Sequence, residues 1–394
     1  MDPFTHSLVG LTAAKAGLGR LSPLATTVCV VAANAPDCDI VVGLTSGRWE
    51  YLHHHRGLTH SIVGVLALGI LLPSIIYALD RLIARVRRRA PRIKYRGLLL
   101  ASLLVTATHP LLDWTNNYGV RPFLPWSGQW FYGDLAFVVD PYILLAVGGA
   151  AFLATSNHRA KIVLWAGVAT AIIVLSFIVR SRPDPNQLSL TVVRAFVIGG
   201  VLAFALVRVA GWMRGREKQI ALAALAAVVV YLGALTIAHR VAFNHARQFS
   251  DRIAARTNER FVRVAAMPML ANPFQWSCVA ETDRAMYRFT VKIASRTTPP
   301  ESSQLNVDLE QTKSPAGIQR FAKPTNGSAE LIAKASQDRR TQILLGFARF
   351  PLARVENDNC IGQTLVQFAD VRYTEPGATR GTFSLNVPVE CPAQ

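Results

Sequence analysis

Six of the nine histidines fall within residues 6–109, and Asp2, Asp37, Asp39, Asp113, Asp134 and Asp140 stand around them. Neutral imidazoles and carboxylates are the ligands of zinc, manganese and iron sites. A Thr-His pair recurs three times, in "FTHSLVG" (4–10), "LTHSIVG" (58–64) and "ATHPLLD" (107–113). His109 and Asp113 are spaced i, i+4, which on one helix puts both on the same face and lets them share an ion. Pro110 works against a straight helix there, because proline disfavours the α conformation of the residue before it. The pair therefore sits either on one helical turn or at a kink or fresh helix start at His109.

Neighbouring residues indicate how such side chains are held. Asp2 reads as an N-cap with Pro3 at the first helical position, which seats His6 one turn inside a helix. Gly57 permits a tight turn, and Thr59 is expected to cap the next helix, with His60 near its N-terminus. Pro36 stops the helix-like run before "APDCD" and exposes both aspartates. Asp37 and Asp39 then alternate across an extended segment, so that one ligates while the other orients a histidine from behind.

The elements that carry these residues are apolar. Six stretches approach the ~20 residues needed to cross a ~30 Å hydrocarbon core: 61–79, 97–113, 141–156, 162–179, 190–210 and 219–238. Alternation brings three basic segments, "RLIARVRRRAPRIKYR" (81–96), "NHRAK" (157–161) and "RVAGWMRGREK" (208–218), to one side, which is the cytoplasmic side by the positive-inside rule. Residues 114–140, the loop near 181–189 and everything after the last span then lie outside. "HHHRGLTH" (53–60), His109 and Asp113 arrive at that same outer end. The first fifty residues read as a re-entrant or shallow helical hairpin that starts at His6 and returns to "PDCD" (36–39). Irregular backbone at that depth needs protein cover or water, and a polar metal pocket is such a place. The expected class is an α-helical integral membrane protein of about six transmembrane helices plus this hairpin, with a C-terminal mainly-β soluble domain. The expected segments are a membrane core (1–145), further spans (146–240), a charged connecting helix (241–264) and the β domain (265–394). Strands are expected within 266–295 and in "TQILLGFARF" (341–350), "TLVQFADVRYT" (364–374) and "TFSLNVPVE" (382–390).

Bulk composition agrees. Hydrophobic residues make up 51% of the 394 and charged residues 17%, a balance richer in apolar and poorer in charged residues than a soluble domain's. The net charge of +18 sits largely in short clusters between apolar runs. It therefore reads as membrane topology, with membrane lipids as partners and no nucleic acid. The five cysteines form no CxxC pair, which argues against a zinc ribbon. One disulfide among Cys278, Cys360 and Cys391 fits an extracytoplasmic setting, with one thiol left over. The start "MDPFTH" shows no cleavable signal peptide. Neither a GxSxG elbow nor a GxxxxGK[ST] loop is present, so those hydrolase types lose ground.

Taken together and in order, "DPFTH", "PDCD", "HHHRGLTHS", "THPLLDWTNNYG" and "GDLAFVVDP" resemble the bacterial and archaeal family called membrane-bound metal-dependent hydrolases. The motifs cover roughly 1–145, and "MPMLANPFQW" (267–276) resembles a segment some members carry after their last span. The resemblance implies a prokaryotic inner-membrane protein with a metal-dependent hydrolase core distantly similar to zinc-dependent phospholipase C. The implied metal ligands are His6, Asp37, Asp39, His55, His60, His109 and Asp113. The helical HxxxE pair of zinc phospholipases is missing, and Asp113 is offered instead. Seven candidates exceed the needs of one tetrahedral zinc, so two divalent ions are expected, zinc first, with manganese and iron as alternatives. Arg56 is expected to steady an anionic group by paired hydrogen bonds. Asp134 or Asp140 is expected as general base or further ligand. The expected substrate is a phosphodiester or ester of a lipid-like molecule at the outer interface. Two other classes stay open: a metal or proton transporter, and a non-catalytic envelope protein with a structural metal. Transport is disfavoured because 162–179 and 219–238 carry no Asp, Glu, Lys, Arg or His. Oligomeric state is left open.

Overall fold

The computed structural model describes residues 1–178, 190–212, 215–293, 317–324, 326–356, 362–378 and 381–391. The loop at 181–189 and Cys360 lie outside the described residues. The chain divides into two compact units. The first comprises Met1–Asp39, Arg56–Ile237 and Pro268–Pro273, and the second Ile40–His55, Ala238–Met267 and Phe274–Gln394.

The first unit is helical. In chain order it holds α1 (Pro3–Ala16) and α2 (Ala25–Ala32); α3 (Ile40–His54) belongs to the second unit. It continues with α4 (Ile62–Val86), α5 (Tyr95–Trp114), α6 (Pro141–Thr155), α7 (Arg159–Ile178), α8 (Leu190–Ala210) and the Glu217–Ile237 part of α9 (Glu217–Thr257). Among the described residues, five helices are long and apolar enough to cross a membrane, and the bent pair Ala25–Ala32 and Ala35–His54, counted as one span, raises the count to six. The sixth span expected at 141–156 is instead the 15-residue α6. At about 1.5 Å per residue it falls short of a ~30 Å core. The apolar side chains of α7 and α8 face outward, with Leu206 69% and Val209 83% exposed, as lipid-facing helices require.

Local chemistry fixes the helix starts. Asp2 caps α1 by accepting from the Thr5 N–H at 2.9 Å, with Pro3 opening the helix. Ser61, not Thr59, caps α4: its hydroxyl accepts from the Gly64 N–H at 3.1 Å, while Leu58–His60 form a single 3-10 turn. Pro110 does not break α5, which is continuous from Tyr95 to Trp114. Proline costs only the hydrogen bond to the Thr106 carbonyl, and packing from neighbouring helices tolerates that loss in a spanning helix. Asp37 and Asp39 lie in a 3-10 turn (Ala35–Asp39) rather than in an extended segment. Within this unit α1 packs on α2 and α6, α2 on α5, and α4 on α5. The α1–α2 approach depends on Gly10, where a Cβ would stand 2.5 Å from the Cys29 carbonyl oxygen.

In the second unit, strands β1 (Phe261–Met269), β2 (Asn272–Thr282), β3 (Ala285–Lys292) and β4 (Gln319–Ala322) form one sheet in chain order. Strands β5 (Pro351–Val355), β6 (Gln363–Asp370) and β7 (Ser384–Glu390) form another. Cys278 pairs with Phe289 across β2 and β3, and Phe368 with Leu385 across β6 and β7, both antiparallel. The last turns of α9 lay Ala242, Ala246, Phe249 and Ile253 against Trp276, Tyr287 and Phe289, a stripe with helical spacing. The expected strand 341–350 is a helix over most of its length. Asp338 caps it, α11 runs Arg339–Phe347, and Ile343, Leu344 and Phe347 are buried with a 3–4 period; a shorter helix, α10 (Ala329–Ala335), precedes it. Trp49 of α3 packs beside the β5–β7 core, and Glu50 pairs with Arg339 at 2.8 Å.

Glu259 ties this unit together. It accepts from Thr282 Oγ1 at 2.6 Å, Tyr287 Oη at 2.9 Å and Arg320 Nη2 at 2.9 Å. Burial raises its carboxyl pKa, but these donors outweigh burial and hold it below the usual range. A carboxylate lowered in the folded state stabilises fully above its unfolded pKa, about 4.3, and loses that contribution as pH falls through the folded value. Glu259→Gln is therefore expected to cost about 1.5–3 kcal/mol at neutral pH. The gap to wild type should narrow as pH falls below about 4.3 and close once Glu259 itself is protonated in the folded protein. Thermal unfolding at a series of pH values reads both, and a gap that persists in acid would refute the assignment.

Candidate metal centre

Five side chains of the first unit converge. His6 comes from the second turn of α1, Asp37 from the 3-10 turn after α2, His60 from the turn before α4, and His109 and Asp113 from the last turns of α5. His6, His60, His109 and Asp113 are each no more than 1% exposed, whereas the Asp37 carboxylate is 23% exposed. His60 Nε2 lies 3.1 Å from His109 Nε2, 3.5 Å from Asp37 Oδ1 and 3.5 Å from Asp113 Oδ2. His109 Nε2 lies 3.4 Å from Asp37 Oδ1 and 3.7 Å from Asp113 Oδ2. His6 Nε2 approaches the other Asp113 oxygen at 3.3 Å, and its ring stacks on His109 with centroids 3.7 Å apart. His6 thus shares the site, as the hairpin reading required.

The outer nitrogens settle which atoms face inward. His109 Nδ1 lies 2.6 Å from the Ala33 carbonyl oxygen. A carbonyl only accepts, so Nδ1 carries the proton and Nε2 presents a lone pair. His60 Nδ1 lies 3.0 Å from Thr59 Oγ1, and Thr59 Oγ1 lies 3.3 Å from Asp39 Oδ2. A carboxylate only accepts, so the Thr59 hydroxyl donates to it and receives from His60 Nδ1–H. In the neutral form of both rings, Nε2 is then the lone-pair atom. With both rings neutral, two imidazole lone pairs 3.1 Å apart beside two carboxylates call for a proton or a metal cation between them. Second partners that fix a tautomer and aim the inward nitrogen are the hallmark of histidine metal ligands. Asp39 plays that outer part, and it also accepts from the Arg56 N–H at 3.2 Å.

The remaining expected residues sit as follows. His55 falls in the second unit, where it stacks on Tyr51 with centroids 4.6 Å apart. Arg56, in a left-handed conformation (φ 55°), is buried and clamps Asp113: Nε lies 3.0 Å from Oδ2 and Nη2 3.2 Å from Oδ1. A hydrogen bond from Nη2 and an ion pair from Nε thus hold a carboxylate of the protein itself. Asp134 is buried and left-handed (φ 53°), in a loop hooked to the end of α5 by Gly133 N to Trp114 O at 2.7 Å. Asp140 caps α6, accepting from the Tyr142 and Ile143 N–H groups at 2.9 and 3.1 Å and from Tyr231 Oη at 3.0 Å. Neither Asp134 nor Asp140 enters a metal-competent grouping among the described residues.

Sequence reasoning missed Thr59 and the Ala33 carbonyl as aiming groups. It also missed Asn116, whose Oδ1 accepts from Arg56 Nη1 at 2.9 Å, and Tyr118, whose ring lies 4.5 Å beneath that guanidinium. The run "DWTNNYG" contains both residues, but nothing in it signals Arg56 as their partner. The α-amino group of Met1 pairs with Asp113 Oδ1 as well.

Apolar spanning helices around a buried histidine–aspartate cluster define a membrane-spanning protein with metal-competent groups. In agreement, residues 1–183 match the family model described as YdjM inner membrane protein; this stretch contains all five converging side chains. Among curated proteins, the chain is 30% identical over 187 residues to the uncharacterized protein YfhP of Bacillus subtilis (strain 168), covering 45% of this chain. The match spans 50% of that relative's length. No solved structure matches.

Proposed function

We propose that this protein is a membrane-bound metal-dependent hydrolase with one principal divalent ion, zinc in the first instance, held by Asp37, His60, His109 and Asp113. The observation that carries this is the spacing of the four inward atoms. Ligands about 2.0–2.1 Å from a tetrahedral ion stand about 3.3–3.4 Å from one another. Five of the six separations between these atoms run from 3.1 to 3.7 Å. Two neutral imidazoles and two carboxylates form a donor set suited to zinc. Ligand number suggested two ions; beside Asp113 Oδ1, however, the Arg56 guanidinium already supplies positive charge, which supports one.

When bound, such an ion lowers the pKa of a coordinated water and polarises a phosphoryl or ester oxygen. The chain's own part is separate. Asp39 and Thr59 hold the His60 tautomer, the Ala33 carbonyl holds that of His109, and Arg56 fixes the Asp113 carboxylate. Asp37, the most exposed of the set, marks the side from which substrate approaches. A phosphodiester or ester of a lipid-like molecule suits a site set among spanning helices. We place the cluster at the outer face of a prokaryotic inner membrane and the second unit outside the cytoplasm. The basic segments at the opposite helix ends support this, as does the disulfide-bonded state of Cys391. A reporter fused after Gln394 is expected to be active only outside the cytoplasm; cytoplasmic activity would reverse the orientation.

Near-complete burial of the histidines favours a second reading, a purely structural ion. Elemental analysis of purified protein is expected to give about one ion per chain in wild type and far less in His60→Ala. Wild type without metal would end both readings. Full occupancy with no turnover on a panel of phospholipids and soluble phosphodiesters would favour the structural ion.

A further inference from the structure

At the opposite end of the first unit from the cluster, the last turn of α1, the ends of α6 and α8 and the start of α9 enclose a cavity of about 640 Å³. Its lining includes Lys15, Arg20, Arg208 and Lys218 against one carboxylate, Glu217. Arg208 is anchored, with Nε and Nη2 on the Ser156 carbonyl oxygen at 3.1 and 2.6 Å and Nε on Ser156 Oγ at 2.9 Å. No carboxylate pairs with Lys15, Arg20 or Lys218 among the described residues.

Helix ends alone do not balance this charge. Each helix C-terminus offers about half a negative charge, and three of them meet here. Glu217 sits in the first turn of α9, where it answers that helix's positive end. About two positive charges are left over. A cavity this size is in the range that encloses a small molecule rather than a bare ion. Asn157 and Thr26 add hydrogen-bonding groups to its wall.

We propose that this cavity is a second binding site, for a phosphate group carried by a small molecule or a lipid. The charge fits a phosphate mono- or dianion, and lysine and arginine are its usual receptors. The site lies among the basic connections of the helix ends, where anionic head groups collect if this end meets the membrane surface. It is independent of the metal reading, because no ligand of the cluster lines it.

The test uses full-length protein as wild type, as Lys15→Gln/Lys218→Gln, and as Arg85→Gln/Arg87→Gln, a control in the exposed basic stretch outside the cavity. One arm titrates inorganic phosphate into detergent-solubilised protein by calorimetry. The other counts phosphatidic acid retained from mixed nanodiscs by native mass spectrometry. The cavity variant is expected to bind about tenfold more weakly in at least one arm, with the control unchanged and all three proteins equally folded by circular dichroism. Loss in the phosphate arm identifies a soluble ligand, and loss in the lipid arm alone a head group. Equal binding by wild type and cavity variant in both arms, or equal loss in the control, overturns the proposal.

Discussion

On the proposed metal reading, replacing Asp113 with Asn is expected to strip the ion and to lower stability by about 3–5 kcal/mol. Both Asp113 oxygens are committed: Arg56 Nη2 and His6 Nε2 to Oδ1, Arg56 Nε to Oδ2. Asparagine keeps the size but removes the charge, so Arg56, a cation only 4% exposed, loses the Asp113 carboxylate that it clamps. An uncompensated buried charge is what makes breaking such a pair costly, whereas removing both partners is often tolerated. Arg56→Leu combined with Asp113→Leu is therefore expected to recover much of the stability but none of the metal. Thermal unfolding in detergent and elemental analysis of the three proteins read the two effects apart. If Asp113→Asn alone unfolds like wild type, the Arg56 clamp is not formed.

Gly64→Ala is expected to cost about 1–3 kcal/mol and to release metal although Gly64 ligates nothing. A Cβ there would stand 1.9 Å from the Leu58 carbonyl oxygen and 2.8 Å from the Thr59 Cα. Both are backbone atoms of the turn that presents His60, so the turn must shift and carry the imidazole with it. Gly199→Ala in α8 is the control: a Cβ there meets nothing within 4 Å, and the change should be neutral or stabilising by up to about 1 kcal/mol. Metal content and melting temperature of the two variants decide. Full metal retention in Gly64→Ala would show that the turn tolerates displacement.

Gly10 and Gly64 explain the repeated heptads. Gly10 closes the first and Gly64 the second, and each lies against a carbonyl oxygen, of Cys29 and of Leu58. Their threonines work alike, since Thr5 donates to Asp2 at 2.5 Å and Thr59 to Asp39 at 3.3 Å. Sequence made legible whatever rests on local rules: the Asp2 cap, Pro3, most spans, the alternation of Leu385, Val387 and Val389 in β7. It also grouped His6, Asp37, His60, His109 and Asp113. It could not show that Arg56 turns back onto Asp113, because that contact joins residues 57 apart in sequence and both are equally apt for a substrate or a metal. Nor could it show that α3 counts with the C-terminal sheets, since nothing in "RWEYLHH" names Arg339 as the partner of Glu50. "TQILLGFARF" misled because short apolar runs fit strand and helix alike; the Asp338 cap decided for the helix.

Four of the five converging side chains are sealed from solvent, and Asp37 alone is partly open. An ion in such a site leaves slowly, by way of one carboxylate, however tight or weak its equilibrium binding. Occupancy then records history: which metal was at hand when the helices closed, rather than which one surrounds the finished protein. If the site holds an ion as proposed, exchange half-life, more than affinity, determines how long the protein keeps it once the surrounding metal changes.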